Sequence, residues 1–340
     1  MNDLAEIILK DSETVQKTVD FSALSGKTVL ITGASGIVGT YLLATLKSAW
    51  TKGLRFELTA VSKNPPLPYQ KLLLDYPGAK STQIDLSDYQ SISKLPDADF
   101  IIHAAGYGQP GKFLEDPVKT LKINTLATFA LLEKLRARGK FLFISSSEIY
   151  TGLSDPPFKE SYIGTSGPDH KRSSYIEGKR SGEAIVNAYR QNGTEAKSAR
   201  LALAYGPGTK LGDKRVLNSF IEKGLQGKID LLDQGTAKRT YCYITDAVEY
   251  LWKILLLGKE PVYNVGGNSK VTIKELADKI GAYTGAKIYL PKNSDGLSGS
   301  PENVWLDMTK SGKEFDKKSY VGLDEGLKRT IDWQKILYKP

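Results

Sequence analysis

Tyr175 and Lys179 stand four residues apart in Ser174-Tyr175-Ile-Glu-Gly-Lys179, a spacing that puts both side chains on one face of a helix. A phenol with an ordinary pKa of about 10 is too weakly acidic to serve as a general base at neutral pH. A nearby ammonium group favours the phenolate, and the pair can then take a proton from an alcohol while hydride leaves its carbon. With 18 tyrosines in the chain, a Tyr/Lys pair alone reads equally as a surface feature. Two further groups argue otherwise. An apolar run at 141–145 ends in Ser146-Ser147-Glu148, which puts hydroxyls and one carboxylate at the end of a strand. The run at 101–105 brings His103-Ala104-Ala105 to a similar place, although His103 reads most simply as a satisfied strand-end histidine. Nearer the N-terminus, Gly33-Ala-Ser-Gly36-Ile-Val-Gly39 follows an apolar run and opens a helical pattern. Glycines there allow a tight turn and let a pyrophosphate approach the helix N-terminus.

The elements that must position these groups follow from the hydrophobic pattern. Short apolar runs at 27–32, 56–61, 82–84, 100–105, 141–145 and 199–204 read as buried parallel strands. They alternate with helical stretches at 41–50, 117–136 and 176–190, which implies right-handed crossovers. The expected fold is α/β: a Rossmann-type, doubly wound parallel sheet with a smaller C-terminal substrate-binding lobe. The expected organisation is an acidic N-terminal leader (1–26), a dinucleotide-binding domain (27–207) and a mainly substrate-binding lobe (208–340), from which segments can return to the first domain. That lobe should hold helices at 216–227, 246–257, 272–283 and 323–333, and a loop at 296–301.

A carboxylate near the end of the second strand would bond the ribose hydroxyls of NAD. The segment here is Ala60-Val-Ser62-Lys63-Asn64, which has no acid. Lys63 suits the 2′-phosphate of NADP or a solvated loop, so both cofactors stay open. Asp85-Leu86, after the third strand, is placed to meet the adenine.

Composition narrows the class. The 340 residues carry 47 Lys+Arg against 38 Asp+Glu, a net +9. Residues 1–26 hold five carboxylates and two lysines, so the basic excess lies beyond them. No Lys/Arg run exceeds two residues, which points to a phosphorylated small molecule rather than nucleic acid. A single cysteine, Cys242, excludes an intrachain disulfide, and with only His103 and His170 a structural zinc site is not expected. The N-terminus lacks a basic start and apolar core, and no apolar run is long enough to span a bilayer. A cytoplasmic protein without metal is therefore expected.

The glycine loop, His103-Ala-Ala, Ser-Ser-Ser-Glu-Ile-Tyr150, Tyr175-x-x-x-Lys179 and Arg200…Tyr205-Gly-Pro-Gly208 occur in this order. Together they resemble the extended short-chain dehydrogenase/reductase family of nucleotide-sugar epimerases, dehydratases and decarboxylases, over residues 27–333. The resemblance implies oxidation of a sugar at C4, chemistry on the resulting ketone and return of the hydride. Simple 4-epimerases of this kind carry no acid where Glu148 stands, and glucose-type dehydratases carry an Asp-Glu pair. Ser147-Glu148 is similar to UDP-glucuronate decarboxylases and to GDP-mannose dehydratases. Glu160-Ser-Tyr-Ile-Gly164, Arg172-Ser-Ser-Tyr175, Asp213-Lys-Arg-Val-Leu-Asn-Ser219-Phe220 and Arg239-Thr-Tyr-Cys-Tyr-Ile-Thr-Asp246 lean toward the decarboxylases. Two departures bear on the sugar pocket: Leu203 replaces an expected Asn, and Gly106-Tyr-Gly-Gln-Pro110 replaces a small Ser/Ala-Pro loop.

In that resemblance Ser146 holds the O4 hydroxyl, Tyr175 is the base, Lys179 supports it and binds the nicotinamide ribose, and Glu148 acts at C5. Arg172 would face a substrate carboxylate, Arg239 the pyrophosphate or C5, and Ser219 the substrate. The implied cofactor set is Gly33, Ser35, Gly36, Ile37, Val38, Gly39, Ser62, Lys63, Asp85, Leu86, Ala104 and Ala105, with Tyr175 and Lys179. NAD is the expected cofactor, a nucleotide sugar the substrate, and a homodimer through the helices near 117–136 and 176–190 the assembly. Decarboxylation leads; a 4,6-dehydratase, an epimerase or a net NADP-dependent keto-sugar reductase are the alternatives.

Overall fold

The computed structural model describes residues 2–292 and 303–338; the loop expected at 296–301 lies outside them. In chain order the elements of the first half are α1 (Asn2–Gln16), β1 (Thr28–Thr32), α2 (Ile37–Thr51), β2 (Glu57–Ser62), α3 (Pro68–Leu73), β3 (Ala79–Gln83), α4 (Tyr89–Ser93), β4 (Ala98–His103), α5 (Pro110–Glu115), α6 (Pro117–Asn124), α7 (Leu126–Leu132) and β5 (Leu135–Ser146). Then follow α8 (Ser173–Gln191), β6 (Glu195–Leu201), β7 (Leu203–Tyr205), α9 (Val216–Leu225), β8 (Lys228–Asp230), β9 (Lys238–Tyr243), α10 (Ile244–Leu257) and β10 (Val262–Val265). The last are β11 (Ser269–Thr272), α11 (Ile273–Thr284), β12 (Lys287–Tyr289), β13 (Asn303–Val304), α12 (Thr309–Glu314) and α13 (Leu323–Leu337).

Among the described residues the main sheet has seven strands in the order β10-β6-β5-β4-β1-β2-β3, all parallel. The order reverses between β1 and β4. In an open parallel sheet this switch point leaves a crevice at the carboxyl ends of the strands. The strands follow their apolar runs: Val29, Leu30, Ile31, Ile101, Ile102, Phe141, Leu142 and Phe143 are all buried. A second sheet, β11-β9-β13 with β7 beside β9, and a pair β12-β8 lie in the C-terminal part.

Four expectations change. The helix expected over 117–136 is two helices, broken at Thr125, and the chain is already in β5 by Leu135. Thr125 has φ −113° and ψ −74°, which halts the helix, and Leu135 then pairs with Ala98 of β4. The strand expected at 199–204 is split at Ala202: β6 stays in the main sheet, while Leu203, Ala204 and Tyr205 turn to pair with Tyr241, Cys242 and Tyr243 of β9. The third strand starts at Ala79, earlier than its apolar run, because it lies at the sheet edge with Lys80 and Ser81 exposed. The acidic leader contains α1, whose Leu4, Ala5, Ile8, Ser12 and Val15 are buried on one helical face. That face packs on α2, α3 and α10. Asp11, also buried, receives the Tyr41 hydroxyl at 2.7 Å, the Tyr243 hydroxyl at 2.6 Å and the Arg329 guanidinium.

Candidate active site

The glycine loop joins β1 to α2 at the switch point. Gly33 has φ +70°, and a Cβ there would lie 2.5 Å from the Ala104 carbonyl oxygen, so the ends of β1 and β4 approach as only glycine permits. The α2 N-terminus is capped by Gly36 and has no side-chain cap. Its first amides therefore face outward beside half-buried Ile37 and Val38, an arrangement that suits a pyrophosphate. These residues fit a dinucleotide cofactor. The Ala105 amide donates to the Thr32 hydroxyl oxygen at 3.3 Å, and the Ser35 carbonyl accepts from Gln70 at 3.2 Å.

The ends of β2 and β3 hold the other cofactor candidates. The Ser62 hydroxyl donates to the Asn64 carbonyl at 2.7 Å. Lys63 Nζ lies 3.3 Å from Asp85 Oδ2, and Lys119 Nζ lies 2.5 Å from the same oxygen. Bonds from Lys119 and Ser87 hold the Asp85 carboxyl well below its usual range against the opposing effect of desolvation. Asp85 is thus a carboxylate already serving two ammonium groups, and Leu86 beside it is buried.

Both ring nitrogens of His103 are engaged within the fold. It is buried at the end of β4, with Nδ1 2.7 Å from the Thr32 hydroxyl and Nε2 3.0 Å from the Ile123 carbonyl. Burial, aided by Lys179, pushes its pKa down to about 3, so the ring is neutral: Nε2–H donates to Ile123 and Nδ1 accepts from Thr32.

Helix α8 presents Tyr175, Lys179 and Glu183 to the carboxyl end of β5, at successive four-residue steps. A Cβ on Gly182 would meet the Phe143 ring at 2.4 Å, so that glycine lets the helix lie against the strand. Lys179 Nζ donates to the Ile144 carbonyl at 2.7 Å, and Ser146 hydrogen-bonds the Tyr175 phenol. Behind them Glu183 takes paired bonds from Arg200, Nε to Oε1 at 3.0 Å and Nη2 to Oε2 at 2.8 Å. Arg200 also donates to Tyr150 Oη at 2.9 Å, and Tyr150 to Asn264 Oδ1 at 2.8 Å. This buried network ties α8 to β6, β10 and the turn that follows β5.

Lys179 and a positive nicotinamide ring together are expected to acidify Tyr175; the chain's own groups do not. Burial pushes the Tyr175 phenol up to about 12, only partly offset by Ser146. Burial also pushes Lys179 down to about 7. The ammonium spends its hydrogen bond on Ile144 and stands 5.9 Å from the phenol ring centroid. Desolvation outweighs the charge neighbour here.

Glu148 follows β5 on a short 3-10 turn that starts where the Ser146 hydroxyl accepts the Glu148 amide at 3.2 Å. Its Oε1 lies 2.7 Å from Arg172 Nη2, just ahead of α8. Arg239, half-buried on β9, feels the charges of both Glu148 and Arg172. The structure therefore gathers Ser146, Glu148, Arg172, Tyr175, Lys179 and Arg239. Ser219 is half-buried on α9, one turn beyond Arg215.

Three neighbours had no place among the expected site residues. Arg215, held by Asp213 through bonds of 3.0 and 2.6 Å, contributes to the field at Tyr175. It lies inside the quoted 213–220 stretch, where a basic residue ahead of a helix was the available signal. Asn124 is buried at the end of α6 with Oδ1 lacking a hydrogen-bond partner among the described residues, and that oxygen would lie 3.8 Å from a Cβ on Gly106. Phe113 of α5 stacks on the Tyr175 ring. Among the described residues no group of three or more His, Cys, Asp or Glu side chains could hold a metal ion, and no helix is long and apolar enough to cross a membrane.

Comparison with known proteins agrees with this geometry. The family described as the NAD dependent epimerase/dehydratase family matches residues 29–266. UDP-glucuronic acid decarboxylase 5 of Arabidopsis thaliana is 32% identical over 236 residues, covering 68% of this chain and 69% of that protein. UDP-glucuronic acid decarboxylase 1 of Danio rerio is 29% identical over 314 residues, covering 90% and 72%. Among solved structures, UDP-glucose 4-epimerase of Thermotoga maritima with UDP-glucose superposes with a TM-score of 0.77 at 22% identity, over 92% of this chain and 100% of that one. The dTDP-glucose 4,6-dehydratase of Streptomyces venezuelae with NAD bound gives 0.79 at 21%, over 91% and 97%.

Proposed function

From the premise that this chain belongs to the NAD-dependent epimerase/dehydratase family of nucleotide-sugar enzymes, we propose that it decarboxylates a UDP-uronic acid of the glucuronate type through a 4-keto intermediate. The observation that carries this reading is the Glu148–Arg172 pair placed beside Tyr175. An epimerase that only moves a hydride needs neither group. A guanidinium suits a sugar carboxylate because it offers paired, charge-assisted donors. The relatives named as UDP-glucuronic acid decarboxylases support the same choice.

The glycine loop and the α2 N-terminus would hold NAD, whose chemistry is reversible hydride transfer at C4. Ser146 would hold the O4 hydroxyl while Tyr175 takes its proton. The resulting β-keto acid loses its C5–C6 bond as CO2, and the electron pair passes into the C4 enolate. Arg172 would fix the carboxylate before that step, and Glu148 would relay a proton from solvent to C5 after it. Lys179 would reach the nicotinamide ribose, and its charge together with that of the nicotinamide ring would favour the ionised phenol. Arg239 would meet the pyrophosphate. We also propose that Val118, Leu121, Leu126 and Phe129, exposed on α6 and α7, face a second copy of the chain in a homodimer. Sedimentation equilibrium tests that assembly.

A panel of UDP-, GDP- and dTDP-sugars, followed by mass spectrometry with and without added NAD, tests the reaction. Loss of CO2 from a UDP-uronic acid is the expected result. Loss of water, an isomeric product, or product formed only with stoichiometric NADPH would replace the reading by dehydratase, epimerase or reductase. Tyr175→Phe should lower turnover at least about 1,000-fold while NAD affinity stays within a few-fold.

A further inference from the structure

Phe113 is 1% exposed, yet it belongs to none of the apolar clusters that form the core among the described residues. It is buried against the site. Its ring lies almost parallel to that of Tyr175, with centroids 4.6 Å apart and 14° between planes. The Arg172 guanidinium stands 5.6 Å from the Phe113 centroid. Lys179 Nζ stands 5.9 Å from the Tyr175 centroid. The phenol ring is therefore stacked on Phe113, with Lys179 nearby and Ser146 addressing its hydroxyl.

The six-residue helix α5 that carries Phe113 rests on α6 and α8, and it leaves its other large apolar side chain, Leu114, 49% exposed. It is reached through Gly106-Tyr-Gly108-Gln-Pro-Gly111, where a Cβ on Gly108 or Gly111 would meet nothing within 4 Å. Phe113 is thus the apolar side chain that fastens α5 over the phenol.

We propose that Phe113 is a positioning residue that fixes the plane of the Tyr175 ring for proton abstraction. The proposal rests on Tyr175 being the base. A parallel aromatic pair contributes beyond its buried area, and a displaced catalytic group loses rate steeply with distance. Holding the face of the ring leaves its hydroxyl edge to Ser146 and the alcohol. The stack also keeps water off the phenol.

The test compares wild type with Phe113→Leu, Phe113→Ala and Phe113→Tyr. Phe113→Leu fills the volume but removes the ring, so its kcat should fall about 10- to 100-fold with KM changed less than about 3-fold. Phe113→Ala should fall at least as far, and Phe113→Tyr should stay within about 3-fold of wild type. A second readout needs no turnover: fluorine NMR of 3-fluorotyrosine-labelled protein, with the Tyr175 line identified by its loss in Tyr175→Phe. In Phe113→Leu that line should shift and titrate at lower pH, and in Phe113→Tyr it should keep its wild-type titration. A Phe113→Leu protein with wild-type kcat, or with an unmoved Tyr175 line, overturns the proposal. If wild type converts no nucleotide sugar, the proposed reaction fails; a Tyr175 line that still responds as described then shows that Phe113 holds the phenol, but not for proton abstraction.

Discussion

Glu148 and Arg172 hold one another by a single contact, Oε1 to Nη2 at 2.7 Å, and each keeps a second polar atom in reserve. Glu148 Oε2 and Arg172 Nε are buried and have no hydrogen-bond partner among the described residues. Buried polar atoms left unpaired are costly, so a ligand that supplies partners for both is strongly favoured. A sugar carboxylate can accept from Nε, while the C5 position can exchange a proton with Oε2. Arg172→Met should raise KM for a UDP-uronic acid about 10- to 100-fold, with a much smaller change in the Kd of UDP measured by calorimetry. Glu148→Gln should lower kcat about 100-fold and leave KM within a few-fold. Equal losses of kcat and affinity in both variants would break the division of labour.

We propose that Asp85 weighs the choice between the two nicotinamide cofactors. Lys63, the residue best suited to a 2′-phosphate, shares the Asp85 carboxylate with Lys119. A 2′-phosphate brought to that corner meets a carboxylate that must first surrender a lysine, so NAD is preferred. Asp85→Asn releases both ammonium groups and should improve NADP affinity relative to NAD by about 10-fold or more. Fluorescence titration with each cofactor reads this ratio, and an unchanged ratio would show that the lysines do not face the adenosine ribose. The pair is partly exposed, so stability should change by less than about 1 kcal/mol.

What could be read from the sequence was local. The strand–glycine–helix unit, the serines ending β5 and the Tyr175/Lys179 spacing each declare themselves within a dozen residues. The break at Thr125 and the start of β5 were hidden because Leu135-Arg-Ala-Arg-Gly-Lys140 carries no apolar run; its strand exists by pairing with β4. The split at Ala202 depends on β9, some forty residues downstream. Phe113 and Arg215 reach Tyr175 from separate elements, a proximity that no spacing encodes. Helix α1 is a different case: its buried positions 4, 5, 8, 12 and 15 have helical spacing, but the acidic charge balance of the segment resembles that of a solvated leader.

That helix should matter to stability. Asp11 accepts from Tyr41 on α2, Tyr243 on β9 and Arg329 on α13, joining segments inside and outside the family match at 29–266. Asp11→Ala leaves two buried hydroxyls without their acceptor and should cost about 2–4 kcal/mol in urea denaturation. Arg329→Ala, removing a partner that is 37% exposed, should cost clearly less. A loss below about 1 kcal/mol for Asp11→Ala would show that α1 is dispensable to the fold.

His103 gives the acid side of the stability curve a distinct contribution. Its folded pKa of about 3 lies below the ordinary 6.5 because burial disfavours the imidazolium and Lys179 repels it. Between those values the unfolded chain binds a proton that the native state refuses, so stability falls as pH drops from about 6.5 toward 3. The slope that one such group adds is about 1.4 kcal/mol per pH unit. Above pH 6.5 both states hold the neutral ring and the contribution is fully present. Carboxylates titrate in the same window, so the informative quantity is the difference between wild type and His103→Gln. The variant is expected to be less stable at pH 7, having lost the bridge from Thr32 to Ile123, but its stability should decline less steeply between pH 6 and 4. Urea denaturation at half-unit pH intervals measures both curves. Parallel curves would mean that the native state accepts the proton, against the burial of the ring at the end of β4.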